Sequence, residues 1–160
     1  MKSAESILSR EPWFRWRFEI RFLAARAERS LSKTEALSLL EKATYYRARK
    51  YMVTAHTILA KVAMAEGDCT AAEAQLNAAI MLLSEFPAPL VAWKTYSILS
   101  HLLAQLGKYD AARVAFGEAT SHITYIADHI SDERLCGIFL HSRAVQEVVL
   151  HARASGAGYL

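Results

Sequence analysis

The stretch over residues 60–79, AKVAMAEGDCTAAEAQLNAA, reads as the end of one helix, a tight turn at Gly67-Asp68 and the start of a second helix. That second helix carries Ala72, Leu76 and Ala79 on one face. The same figure returns over residues 100–119, where Gly107 makes the turn and Ala112, Phe116 and Ala119 hold the matching places. A third, degraded copy carries Ala36, Leu40 and Ala43. Each copy sets a small residue, an apolar residue four later and a small residue three after that. The small side chains let a second helix approach closely, and the larger one fills the space alongside. Ala72 follows Ala36 by 36 residues and Ala112 follows Ala72 by 40. A recurrence of this length implies stacked helical hairpins, none able to bury its apolar face alone.

Composition agrees with helices. The 160 residues include three prolines and six glycines, which favours helix over a turn-dense β architecture, and a chain of this length buries about 70% of its unfolded surface without staples. An all-α fold is expected. Cys69 and Cys136 lie far apart with no C-x-x-C or Cys/His ligand spacing, so a zinc site and a disulfide framework are both disfavoured and a reducing, cytoplasmic setting is expected. Residues 1–10 have charge but no apolar core of a signal peptide. The longest apolar run, residues 78–83, is far short of the ~20 residues a membrane helix needs. Net charge is +3, yet unevenly spread: residues 1–50 hold twelve Lys and Arg against six Glu, the remainder seven against ten acids.

Taken in order, residues 1–11 form a lead-in, residues 12–153 a single helical domain and residues 154–160 a disordered tail. Within the domain the expected units are hairpins at 12–49, 51–86 and 90–130 and a capping helix at 132–153. From Trp13, one stripe at helical spacing carries Trp13, Trp16, Ile20, Leu23, Ala24 and Ala27, and a second carries Phe14, Phe18 and Phe22. Ser32 or Ser30 can cap the next helix, and Ser32 with Glu35 makes a capping box; the apolar face of that helix is Ala36, Leu37, Leu40 and Ala43, and its last turn holds Arg47, Arg49 and Lys50. Pro87 and Pro89 enforce a break. Asp132 and its neighbours cap the last helix.

The glycine turn followed by alanine, a large apolar residue and alanine, G-x4-A-x3-[LF]-x2-A at Gly67 and Gly107, resembles the tetratricopeptide repeat family. Tyr109 matches the aromatic that the family favours after its glycine. The chain departs from the pattern at Leu31, which stands where the first glycine belongs, at Cys69 in place of an aromatic, and in its 40-residue step. The longer helices and the run from Pro89-x-Leu-x-x-Trp93 through DERLCGIFLHSRAVQEVV are similar to the C-terminal helical repeats of large bacterial signalling ATPase, cyclase or kinase fusions and regulators. The resemblance covers about residues 12–150. It implies an α-solenoid of about three hairpins plus a cap, acting as a non-catalytic scaffold in signal transduction that binds a protein or peptide.

No catalytic motif competes with that reading. There is no H-E-x-x-H, G-x-S-x-G, G-x-x-x-x-G-K-[ST] or G-x-G-x-x-G, and His122 and His129, seven apart, lack a third ligand. No cofactor or metal is expected. In stacked hairpins of this family the first helix of each pair lines the concave face. The inward positions are then Arg21 and Arg29 in the first, Thr54, Thr57, Lys61 and Met64 in the second, and Lys94, Ser97, His101 and Gln105 in the third. This polar, mildly basic floor suits an extended acidic peptide, though exposed Lys and Arg are equally ordinary on a solvated face. Trp13, Phe14, Trp16, Phe18 and Phe22 form two stripes of which only one can face the next helix. An apolar patch is therefore expected, covered by an upstream domain of a longer chain or by a second copy. The alternative function is a nucleic-acid-associated regulator using the basic N-terminal third. The helical segregation of arginines from aromatics argues against it, and nucleic acid and membrane are both unexpected partners.

Overall fold

The computed structural model describes residues 12–154, with side chains described for residues 17–150. Among these residues the structure is all-helical, eight helices packing in adjacent pairs: α1 (Pro12–Ser30), α2 (Lys33–Tyr45), α3 (Arg49–Ala65), α4 (Cys69–Glu85), α5 (Pro89–Gln105), α6 (Tyr109–Asp128), α7 (Glu133–Leu140) and α8 (Arg143–Ala154). The lead-in and the tail lie outside the described residues. Each helix touches its successor, and α1 touches α3 as α3 touches α5. α8 returns against α6.

Local chemistry explains the boundaries. Gly67 (φ 80°) and Gly107 (φ 73°) adopt the left-handed conformation that closes the helix before them. The next amide reaches back five residues in each case, Asp68 N to Ala63 O and Lys108 N to Leu103 O, both 2.9 Å. Leu31 does the same work without glycine's freedom, at φ 46°. There the Ser30 hydroxyl accepts from the Ser32 amide at 3.2 Å. Asp68 caps α4 through the Ala71 amide and Asp132 caps α7 through the Leu135 amide, both at 2.9 Å. Pro89 opens α5 at its first turn, where its missing N–H is no loss.

The Ser32–Glu35 box forms by half. Ser32 Oγ accepts from the Glu35 amide at 3.4 Å. The Glu35 carboxylate turns instead to the Ser30 hydroxyl at 2.6 Å and to Arg26, which together hold it below the ordinary carboxylate range. Two further boundaries differ from the sequence reading. α2 ends at Tyr45, because Arg47 takes a left-handed turn (φ 52°) with Ala48 N bonded to Ala43 O at 2.7 Å. Arg49 and Lys50 therefore begin α3 rather than finish α2. The capping helix expected over 132–153 is two helices. The Gln146 side chain donates to Leu140 O at 2.8 Å, and the Gln146 amide donates to Ser142 O, so a new helix starts after the turn at His141-Ser142.

The repeated face is buried as its spacing requires. Ala72, Leu76 and Ala79 are fully buried, and Ala112, Phe116 and Ala119 nearly so. In the degraded copy Ala36 and Ala43 are fully buried, but Leu39 takes the central place, leaving Leu40 half-buried and Leu37 exposed. Ala72 and Leu76 of α4 meet Ala60 and Ala63 of α3 and Leu102 of α5, so one small-residue face serves two hairpins. Ala112 packs on Leu103 across the α5–α6 contact. Ala112→Leu is therefore expected to overpack that contact and cost about 1–3 kcal/mol, while Ala111→Leu, at an exposed position one residue away, leaves the thermal midpoint unchanged. Equal midpoints for the two variants would contradict the packing.

Candidate functional site

Six of the ten expected floor residues line one cleft. Thr54, Thr57 and Lys61 come from α3 and Lys94, Ser97 and His101 from α5, around a cavity of about 430 Å3. Their three- and four-residue spacing puts them on the mutually facing sides of two helices that touch. The floor beneath is closed by a buried pair, Thr57 Oγ1 and Thr95 Oγ1 at 2.9 Å. Thr57 also bonds to Val53 O at 2.8 Å and Thr95 to Val91 O at 3.1 Å. Two hydroxyl protons serve these three contacts, so the pair is a satisfied joint between α3 and α5. Thr57 thus supports the floor and offers a ligand no proton. The Thr54 hydroxyl likewise donates to Lys50 O at 3.1 Å. Lys61 and Lys94 are exposed and enter none of the ion pairs among the described residues. Lys94 Nζ lies 5.8 Å from the centre of the Trp93 ring.

Four expected residues lie elsewhere. Met64, in the last turn of α3, packs against Ala60, Ala63 and Leu76. Gln105 and Arg29 stand exposed at the ends of α5 and α1 and do not line the cleft, although Glu28 and Leu31 beside Arg29 do. Arg21 lines a different cleft, about 850 Å3, together with Arg17, Phe18 and the segment from Arg47 to Tyr51. The sequence reading also missed two walls of the first cleft. Glu28 and Leu31 enter from α1 and its turn, and Ala144, Glu147 and Val148 from α8. The floor is basic as expected, yet its walls carry Glu28 and Glu147, the latter paired with Arg143 at 2.8 Å. Ala144 four before Val148 was the available signal for the α8 wall.

Of the aromatic stripes, the one holding Ile20, Ala24 and Ala27 is buried. Phe18 (73% exposed) and Phe22 (55%) stand in solvent, with Arg26 Cζ 5.8 Å from the centre of the Phe22 ring. The side chains of Trp13, Phe14 and Trp16 lie outside the described ones. Polar groups elsewhere have structural employment. His56 bonds Gln75 at 2.8 Å, His129 and His141 bond backbone carbonyls one turn earlier, and His122 stacks on Tyr96 with ring centres 5.7 Å apart. Burial pushes the Tyr96 phenol above its ordinary pKa, with the Glu118 charge adding to the shift. Cys69 and Cys136 are free thiols, both half-buried. Among the described residues no group of three His, Cys, Asp or Glu could hold a metal ion, and no helix is long and apolar enough to cross a membrane.

No protein-family model matches the chain, and neither the curated proteins nor the solved structures give a match.

Proposed function

We propose that this chain is a non-catalytic interaction module, a tetratricopeptide-like array of three hairpins that holds a short extended peptide between α3 and α5. The observation that carries the reading is the convergence of Thr54, Thr57, Lys61, Lys94, Ser97 and His101 on one cleft. Three features support the array. The within-hairpin turns at Leu31, Gly67 and Gly107 share one left-handed conformation. The first helices of successive hairpins touch, α1 on α3 and α3 on α5. The small-apolar-small face is buried in the second and third hairpins, and in the first its two alanines are buried with Leu39 in place of Leu40. A volume of about 430 Å3 lies in the range of ordinary ligand clefts. The lysines supply anchor points for acidic residues of the peptide, and Glu28 and Glu147 on the opposing walls set its direction. The resemblance noted above makes a cytoplasmic signalling scaffold the setting we favour, with an upstream domain or a second copy over the exposed Phe22.

Panning a random 12-residue peptide library against the protein tests this. The peptides recovered should carry acidic residues, and Lys61→Glu with Lys94→Glu should weaken them about tenfold or more while helicity by circular dichroism stays constant. A library from which nothing is enriched, or peptides that bind the double variant equally well, would remove the cleft as the site.

A further inference from the structure

The second cleft gathers charges that the sequence keeps apart. Arg17 and Arg21 reach it from α1, and Arg47, Arg49 and Lys50 from the α2–α3 turn and the first turn of α3. Among the described residues no acidic one lines it. Arg21, Arg47, Arg49 and Lys50 enter none of the ion pairs among the described residues. Five like charges around one cavity repel one another, and three of them sit where the α3 dipole is also positive. That helix has no acid in its first turn, and its N-cap residue Ala48 supplies no side-chain bond. Arg47 adds a backbone cost. It occupies a left-handed turn of the kind closed by glycine at Gly67 and Gly107, a conformation that disfavours a side chain. A bound anion would offset the charge repulsion gathered at this place.

The rest of the lining says which anion. Phe18, Tyr51 and Phe86 share the cleft with the cations, and Phe18 and Phe86 are well exposed. Guanidinium groups match phosphate oxygens in pairs, and exposed rings offer stacking platforms to bases. A carboxylate-rich peptide would use the charges but leave the rings idle. We infer that this cleft binds single-stranded nucleic acid, the backbone phosphates on Arg21, Arg47, Arg49 and Lys50 and a base against Phe18 or Phe86. It is separate from the peptide cleft between α3 and α5 and does not depend on it.

Fluorescence anisotropy with a labelled dT12 oligonucleotide is the test. Saturable binding at low salt is expected, with log K falling against log salt at a slope of about −2 to −3, as for three or four phosphates neutralised on a single strand. Arg21→Glu with Arg49→Glu should weaken it at least about tenfold, and Phe18→Ala with Phe86→Ala severalfold. Arg47→Gly separates binding from folding, because it relieves the turn: its thermal midpoint should rise while its affinity for dT12 falls. Lys61→Glu with Lys94→Glu should leave dT12 binding unchanged. The inference is overturned by no saturable binding at low salt or by charge-reversal variants that bind normally. It is also overturned if poly-glutamate or phosphatidylserine vesicles bind as tightly as dT12, with no effect of the phenylalanine substitutions.

Discussion

Leu76→Ala is expected to destabilise the protein by about 3 kcal/mol or more, the upper part of the range for large-to-small core changes. The cost of such a change depends on whether neighbours can collapse into the space left behind. Here collapse is limited, because Leu76 is fully buried among Ala60, Ala63 and Ala72, whose methyl groups have nothing to extend, with Leu102 facing it from α5 and only Met64, Ile98 and Leu99 at the edge of the cluster to give way. The void would lie where two hairpins meet, so both lose contacts. For a domain of this size the thermal midpoint should fall by about 10 °C. Leu37→Ala, at an exposed position of α2, should change stability by less than about 0.5 kcal/mol. Similar losses for the two would mean that the repeated face does not carry the core.

Trp93→Ala should cost about 3–5 kcal/mol, with its damage concentrated at the C-terminal end. Trp93 is nearly buried and joins Phe116, Ile123 and Ile126 of α6 to Val145 and Val148 of α8. Without the indole, α8 loses its link to α5 and keeps its contacts with α6 and α7. Amide exchange in α7 and α8 should therefore accelerate more than exchange in α3 and α4. Uniform acceleration along the chain would show that the cluster is not a separate unit. Because Val148 also walls the peptide cleft, the variant should bind peptides more weakly even at temperatures where it remains folded.

The hairpin turns and alanine faces were legible in the sequence because they are local. A glycine, a cap and a period of three and four residues act within one or two helical turns, and Leu31 could be matched to the glycine position from spacing alone. Choices between adjacent residues were less legible. Leu39 rather than Leu40 fills the first hairpin, since both lie near the inward face and packing against α1 and α3 decides between them. The break at His141-Ser142 was hidden because Gln146 makes it by bonding back to Leu140 O, a contact with no periodic signature. The basic cleft was least legible. Arg17 and Arg21 precede Arg47, Arg49 and Lys50 by a helix and a half, and Phe86 comes a further hairpin later. Their meeting is a product of tertiary packing.

The main contacts of every helix reach no further than two helices along the chain. This local wiring has a kinetic meaning. Ordering a hairpin closes only a short loop, so the entropy lost before the first favourable contacts form is small. No step waits for the far end of the chain to arrive. During synthesis α1 with α2 can associate as soon as both have emerged, and each later hairpin then docks on one already ordered beside it. Nucleation is thus open to several sites, and a defect in one hairpin slows its own docking without blocking the others.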